Sequence, residues 1–268
     1  MIFGTAIARR RREPAKRATD TLTGIVMAVV LALSSGCSEA NLTVAVASNF
    51  TAPMRALMDR FQTQTGIRVD VAYGSSGKLF AQIQHGAPYQ VFLSADQSKP
   101  EALLQAGHGV EGTAFTYAVG QLALWSPDPE KVDDQGAILA SGDFRQLAIA
   151  NPRLAPYGQA AQDVLRHLGL LKRYHARLVM GENIAQTFQF VDSGNAELGF
   201  VAVSQIMQDG KVTKGSAWLV PHALYSPIRQ DALLLQDSES ARALLEFLQT
   251  PESRALIESF GYQTEAGH

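Results

Sequence analysis

The chain has 268 residues, with 23 Lys and Arg against 25 Asp and Glu, a formal charge of −2, and one cysteine, Cys37. This balance argues against a basic face for nucleic acid or anionic lipid. A single cysteine excludes an internal disulfide and a thiolate zinc site, and the six histidines are scattered without the spacing of metal ligands.

The first 40 residues predict a secretory signal. A basic head at residues 9–17 precedes an apolar run at residues 24–33, which is well short of the roughly 20 residues that a membrane span needs. Small residues at 38–40 fit a signal peptidase site, so we expect cleavage after Ala40. The alternative is a lipoprotein-like box ending at Cys37, which lacks the usual leucine. A twin-arginine signal is disfavoured because the arginines lie far from the apolar run.

Cleavage there leaves residues 41–268, with 17 Lys and Arg against 22 Asp and Glu and a formal charge of −5. The mature protein is therefore mildly acidic, and we expect it in the periplasm. Its length is enough for one large α/β unit or for two lobes around a cleft.

Strand and helix patterns alternate from Leu42 onward, which predicts open α/β sheets with parallel strands. The first helix carries Met54, Leu57, Met58 and Phe61 at i, i+3, i+4 and i+7. The first part of the pattern contains strands at 42–47, 68–73 and 90–93, each followed by a helical segment.

Two strand-like runs, 114–119 and 121–126, flank Gly120 and predict the passage into a second lobe. Later segments predict strands at 147–150, 177–180, 198–202 and 228–235. They also predict a helix after Tyr157, with Ala161, Val164, Leu165 and Leu168 facing inward, and a helix capped by Asn183. Two closing helices are predicted at 244–248 and 251–260. Connections near 119–121 and 225–228 would form a hinge. We therefore expect a first lobe of residues 41–119 plus 228–268 and a second lobe of residues 120–227.

The stretch Gly74-Ser75-Ser76-Gly77-Lys78-Leu79 is the clearest candidate for an anion cradle. Free N–H groups at a helix start carry the positive end of the helix dipole, and hydroxyls add donors. An ordinary helix cap is the alternative interpretation. The stretch lacks the glycine spacing of a P-loop, and its second glycine comes one place early for a serine-hydrolase elbow.

Four strand-to-helix junctions share this character, at 48–49, 75–77, 156–158 and 183–184, two in each expected lobe. Ligands of open α/β sheets bind beyond the carboxyl ends of the strands. Closing the hinge would bring the four junctions around one small ligand. The junctions contain no histidine or cysteine, so the pattern indicates a binding site rich in donors and not a catalytic one.

Four segments carry a family resemblance: Val44–Phe50, Tyr73–Gly77, Gly86–Asp96 and Asn151–Gly158. They resemble the periplasmic molybdate-binding proteins of molybdate ABC importers, and matching segments run from about residue 42 to 262. The resemblance implies an α/β, two-lobed type II periplasmic-binding-protein fold, with a hinge and an interlobe cleft that holds a tetrahedral oxyanion.

Carried over position by position, the resemblance implies five ligand-binding residues. Ser48 would donate through its hydroxyl and Asn49 through its backbone N–H from the first junction. Ser76 would donate its hydroxyl from the second junction. Tyr157 and Ile184 would donate backbone N–H groups from the second lobe.

One departure concerns Ala202, where many members place a tyrosine whose hydroxyl reaches the anion, so the exact donor count stays open. The resemblance further implies a monomer without catalytic activity. Its ligand would be molybdate or tungstate, with no separate cofactor and no nucleic acid, and its partners would be the membrane permease and ATPase of an ABC importer. The alternative ligand is sulfate or another tetrahedral oxyanion. A regulator's effector domain can share the fold, but it would need a DNA-binding helix pair in place of the signal segment.

Overall fold

The computed structural model describes residues 41–265 together with residues 1, 2 and 4. Except for those three residues, the signal segment predicted at residues 1–40 lies outside the described residues, as do its cleavage after Ala40 and the lipid-box alternative at Cys37. Within the described part of the chain, no helix is both long and apolar enough to cross a membrane.

Five strands form the first sheet: β1 (Leu42–Ala47), β2 (Val69–Gly74), β3 (Val91–Leu93), β4 (Phe115–Gly120) and β12 (Ile228–Leu234). Their spatial order is β2-β1-β3-β12-β4. β1 is parallel to both β2 and β3, whereas β12 is antiparallel to β3 and to β4. We call the part of the molecule built on this sheet the first lobe.

Five further strands form the second sheet: β5 (Leu122–Ser126), β6 (Leu147–Ala150), β7 (Leu178–Gly181), β8 (Leu198–Ala202) and β11 (Ser216–Leu219). Their order is β11-β5-β8-β6-β7. β6 is parallel to β7 and β8, while β5 is antiparallel to β8 and β11. The part built on this sheet is the second lobe. A separate two-stranded hairpin consists of β9 (Met207–Gln208) and β10 (Lys211–Val212).

The expected parallel strands are present in both sheets, but each sheet also contains antiparallel strands, and the passage between the lobes explains them. β12 enters the first sheet where β4 leaves it, because Ile228 pairs with Gly120, so the two strands run in opposite directions. β5 likewise begins beside the last residue of β8, since Leu122 pairs with Ala202. A strand that starts at the hinge must run against strands that end there.

Nine α-helices lie among the described residues: α1 (Thr51–Thr65), α2 (Ser76–Gln84), α3 (Ser98–Gln105), α4 (Ile138–Ser141), α5 (Pro156–His167), α6 (Leu171–Tyr174), α7 (Ile184–Asp192), α8 (Glu239–Leu248) and α9 (Pro251–Ser259). The apolar stripe of α1 is buried as predicted at Met54, Leu57 and Phe61, with Met58 partly buried. The prediction that Leu168 faces inward is wrong. This residue caps the end of α5 and is 40% exposed.

The chain crosses between the sheets at Gln121 and again in residues 220–227, close to the connections expected of a hinge. The hairpin region is a further point of contact. The Asp209 N–H donates to the Ser259 carbonyl at 2.8 Å, so a segment expected in the second lobe touches the last helix of the first. The lobe boundaries 41–119 plus 228–268 and 120–227 remain a prediction.

Candidate functional site

A small cavity lies between the carboxyl ends of the first-sheet strands and the helix starts of the second lobe. It is lined by Ala47, Ser48, Asn49, Gly74, Ser75, Ser76, Ala95, Ala155, Pro156, Tyr157 and Ile184. The centre of a water-sized sphere can range over about 10 Å³ within it, so the cavity suits one small, compact group. All five residues singled out from the sequence line this one cavity. Their binding of an anion remains a prediction.

Three helix N-termini face the cavity, because α2 begins at Ser76, α5 at Pro156 and α7 at Ile184. The first N–H groups of a helix have no acceptor within the helix, and together they carry the positive end of its dipole. No Asp, Glu, Lys, Arg or His is among the lining residues. The cavity therefore attracts negative charge through neutral donors.

The Ser76 hydroxyl is oriented by a backbone donor. The Ala95 N–H donates to Ser76 Oγ at 2.9 Å, and Ser76 is only 1% exposed. Because one lone pair of the hydroxyl oxygen is occupied, its proton is free to donate into the cavity. This geometry suits the donor role that the resemblance implies for Ser76.

The side chain of Asn49 is held away from the cavity. Its Nδ2 donates to Gln230 Oε1 at 2.7 Å and to the Tyr262 hydroxyl at 2.9 Å. The backbone carbonyl of Asn49 accepts from Ser204 Oγ at 2.8 Å. The carboxamide of Asn49 is therefore engaged by the protein. Its backbone N–H is the group that it can offer to a ligand.

The Tyr157 hydroxyl is also engaged, because Gln230 Nε2 donates to it at 3.2 Å. The hydroxyl lies against Gly120, the last residue of β4, because a Cβ added at Gly120 would be 2.1 Å from the hydroxyl oxygen. Ala202 lies at the end of β8, fully buried, with its N–H donating to Gln205 Oε1, and it does not line the cavity. The Tyr157 hydroxyl is thus engaged by Gln230, and Ala202 offers no hydroxyl at its own position.

Burial in this polar network raises the pKa values of its tyrosines. The pKa of Tyr262 rises to about 12, and desolvation lifts those of Tyr117 and Tyr157 well above their usual value. All three phenols are consequently neutral at physiological pH. Tyr262 holds Asn49 directly, whereas Tyr117 and Tyr157 bond to Gln230. All three do so through uncharged hydrogen bonds and add no negative charge that would repel an anion.

Asn183 caps α7 as its sequence predicts. Its side chain accepts from the Gln186 N–H at 3.0 Å, and the Gln186 side chain accepts from the Glu182 N–H at 2.6 Å. This arrangement satisfies the donor of the third residue of the helix and leaves Ile184, at the first position, facing the cavity.

A larger groove of about 380 Å³ adjoins the cavity and shares Ala95, Ala155 and Pro156 with it. Its lining carries charges of both signs, and two of its cations are paired, Lys99 with Asp96 and Arg229 with Glu265. We favour the small cavity as the binding site because its donors face a space free of competing carboxylates. The groove is lined by residues of both lobes.

The two lobes meet directly beside the cavity. The Gly77 N–H on α2 donates to the Leu154 carbonyl at 2.9 Å, and a Cβ added at Gly77 would lie 3.1 Å from Leu154 Cα and carbonyl O. Nearby, Lys78 Nζ lies 2.7 Å from Glu182 Oε1, with side chains 53% and 43% exposed. An exposed pair of this kind contributes little, so the close backbone contact is the more important one.

Gly77→Ala is expected to weaken ligand binding about tenfold, because overpacking by one methyl costs about 1–3 kcal/mol and here it opposes closure of the lobes. The ligand-free protein should melt no earlier than wild type, since alanine favours a helix over glycine. Isothermal titration against molybdate measures the first effect and calorimetry the second. The neighbouring Lys78→Ala serves as the control and should change affinity less than about fivefold. Wild-type affinity in Gly77→Ala would contradict the importance of this contact.

Comparison with known proteins agrees with the fold. A family model described as bacterial extracellular solute-binding protein matches residues 42–263. The chain is 50% identical over 242 residues to the molybdate-binding protein ModA of Azotobacter vinelandii, covering 87% of this chain and 96% of that protein. It is 45% identical over 252 residues to ModA of Rhodobacter capsulatus, covering 93% and 97%.

The solved periplasmic molybdate-binding protein of Azotobacter vinelandii superposes with a TM-score of 0.81 at 42% identity, over 84% of this chain and all of that one. The α/β, two-lobed type II periplasmic-binding-protein fold predicted from the sequence is confirmed, as is the resemblance itself. The chain belongs to the family of bacterial extracellular solute-binding proteins.

Proposed function

We propose that this protein is the solute-binding component of an ABC importer and that it binds molybdate in the interlobe cavity. The observation that carries the proposal is a cavity lined only by neutral groups, with three helix N-termini and the hydroxyls of Ser48 and Ser76 around it. Identities of 45–50% to proteins named for molybdate binding support the choice of ligand.

The chemistry of the cavity favours a fully ionised tetrahedral anion. Such an anion accepts hydrogen bonds on every oxygen, whereas phosphate near neutral pH keeps at least one proton that needs an acceptor. No carboxylate lines the cavity to accept this proton. Leaving the proton unpaired in a closed cavity would cost about 1–3 kcal/mol.

Charge does not separate sulfate from molybdate, so we infer that size does. Sulfate has shorter bonds to oxygen, and in a cavity set for the larger anion its hydrogen bonds would be stretched and therefore weaker. Tungstate is nearly the same size as molybdate and should bind similarly. Sulfate is the alternative ligand that the test must address.

A thermal-shift panel tests the proposal. Molybdate and tungstate at about a hundred times the dissociation constant should add about 2.7 kcal/mol to the free energy of unfolding. That corresponds to a rise in Tm of about 5–10 °C for a protein of this size. Sulfate should give a small shift and phosphate none. A shift with sulfate equal to or larger than that with molybdate would assign the protein to sulfate.

The wider role follows from the family. We propose a periplasmic, monomeric protein that delivers its anion to the permease and ATPase of the importer, has no enzymatic activity, and needs no cofactor besides the ligand. Because the donors come from two lobes joined at Gln121 and residues 220–227, the anion should select the closed arrangement.

A further inference from the structure

Ser75 was not among the ligand-binding residues inferred from the sequence, yet its hydroxyl is the most unusual polar group in the cavity. Ser75 lines the cavity and is 2% exposed. Among the described residues, Ser75 Oγ is the buried side-chain polar atom that lacks a hydrogen-bond partner. A buried hydroxyl without a partner loses its hydration and gains nothing in return, so its position calls for an explanation.

The usual explanation, a helix cap, does not apply. Ser75 is the N-cap residue of α2, with φ −71° and ψ 145°, but its side chain makes no capping hydrogen bond. A capping serine accepts from the N–H of the second or third helical residue. In α2 the second helical residue is Gly77, and its N–H donates to the Leu154 carbonyl of the other lobe. Contact between the lobes thus removes a donor that the Ser75 hydroxyl would accept from.

The surroundings of Ser75 favour an anionic partner. The lining offers the hydroxyls of Ser48 and Ser76 and the helix N-termini, and it includes no carboxylate that could accept the Ser75 proton. We propose that the Ser75 hydroxyl donates a hydrogen bond to the bound oxyanion and is a third serine ligand beside Ser48 and Ser76. The inference rests on the function proposed above and adds a residue to that site.

Two substitutions separate a ligand from a cap. Ser75→Ala and Ser75→Gly both remove the hydroxyl, but glycine is almost as good as serine at an N-cap, whereas alanine is poor. With sodium molybdate as the titrant, a lost hydrogen bond to a charged acceptor should raise the Kd about 10- to 100-fold in both variants. Circular dichroism should show both variants folded, and the ligand-free Ser75→Gly protein should melt within about 1–2 °C of wild type.

Ser253→Ala is the matched control. Ser253 is equally buried, at 1% exposed, but its Oγ accepts from Thr250 Oγ1 at 3.0 Å on α9, and it does not line the cavity. This variant should melt earlier than wild type and bind molybdate with unchanged Kd. The contrast separates loss of a ligand from loss of a structural hydroxyl.

The outcomes divide cleanly. Wild-type Kd in both Ser75 variants would overturn the inference. Loss of affinity in Ser75→Ala alone would overturn it as well, because that pattern identifies a helix cap. A wild-type protein that binds sulfate and not molybdate would instead refute the proposed function. The Ser75 variants would then be titrated with sodium sulfate. A raised Kd in both variants would support Ser75 as a ligand, and a wild-type Kd in both, or a raised Kd in Ser75→Ala alone, would overturn it.

Discussion

Ser76→Ala is expected to weaken molybdate binding by about 1.5–3 kcal/mol, or about 10- to 100-fold in Kd, because it removes a hydroxyl donor to a charged acceptor. The variant should also be less stable without ligand. Ser76 Oγ accepts from the Ala95 N–H, and alanine would leave that buried donor unpaired at a cost of about 1–3 kcal/mol. The corresponding fall in Tm is about 2–12 °C.

Titration calorimetry with molybdate and a melting curve of the ligand-free protein measure these two effects. Ser126→Ala is the matched control, because the Ser126 hydroxyl also accepts from a backbone N–H, that of Asp128, and it donates to the Glu197 carbonyl. Ser126 does not line the cavity. The control should lose stability and keep its affinity. Unchanged affinity in Ser76→Ala would remove this hydroxyl from the site.

The combination of effects also distinguishes Ser76 from Ser75. Ser76 has a protein partner, so its loss should lower both stability and affinity, whereas Ser75 has none and its replacement by glycine should lower affinity alone. Adjacent serines on one helix start thus have different roles. The difference arises because the Ala95 N–H donates to the Ser76 hydroxyl and not to the Ser75 hydroxyl.

Much of the fold could be predicted from the sequence because the signals are local. Apolar periodicity located most of the strands and helices, although it missed the edge strand β11 and placed the start of α8 five residues late. Small and polar residues after strands marked the junctions at Ser48, Ser76, Tyr157 and Ile184 that the structure brings to one cavity. Each of these features depends on a few neighbouring residues, which a single sequence displays directly.

The direction of β5 and β12 could not be predicted in this way, because it depends on where the chain crosses between the sheets. The same limit applies to Ser75. One of the donors that it would otherwise accept from, the Gly77 N–H, is engaged by Leu154, which is far away in the chain. Patterns of local periodicity carry no information on such long-range contacts.

Gln230 was also missed, although a signal for it was present. In β12, Ile228, Gln230 and Ala232 alternate as buried residues, with Gln230 0% exposed. A glutamine on the buried face of a strand is uncommon and must have hydrogen-bond partners. The period-2 pattern could have identified it as a polar core residue.

The Gln230 side chain connects the lobes underneath the cavity. Its Oε1 accepts from Asn49 Nδ2 at 2.7 Å and from the Tyr117 hydroxyl at 3.0 Å, and its Nε2 donates to the Tyr157 hydroxyl at 3.2 Å. Asn49, from the first lobe, and Tyr157, from the second, both line the cavity. One side chain therefore holds a residue of each lobe in position and fixes the distance between the donors.

Gln230→Ala is expected to lower the free energy of unfolding by about 3–5 kcal/mol, since it opens a cavity and leaves buried polar groups without a partner. The expected fall in Tm is about 6–20 °C. Molybdate affinity should fall as well, because Asn49 and Tyr157 would lose their common support. Calorimetric melting with and without molybdate measures both quantities.

Two controls make the Gln230 result specific. Gln236→Ala removes an exposed glutamine and should change stability by less than about 0.5 kcal/mol. Tyr157→Phe removes only the hydroxyl that Gln230 contacts, so it should lower stability by about 1 kcal/mol and leave affinity nearly unchanged, because the backbone N–H of Tyr157 is the proposed donor. A large loss of affinity in Tyr157→Phe would place its hydroxyl on the anion. A Tm of Gln230→Ala within about 2 °C of wild type would show that Tyr262 and Ser204 suffice to hold Asn49.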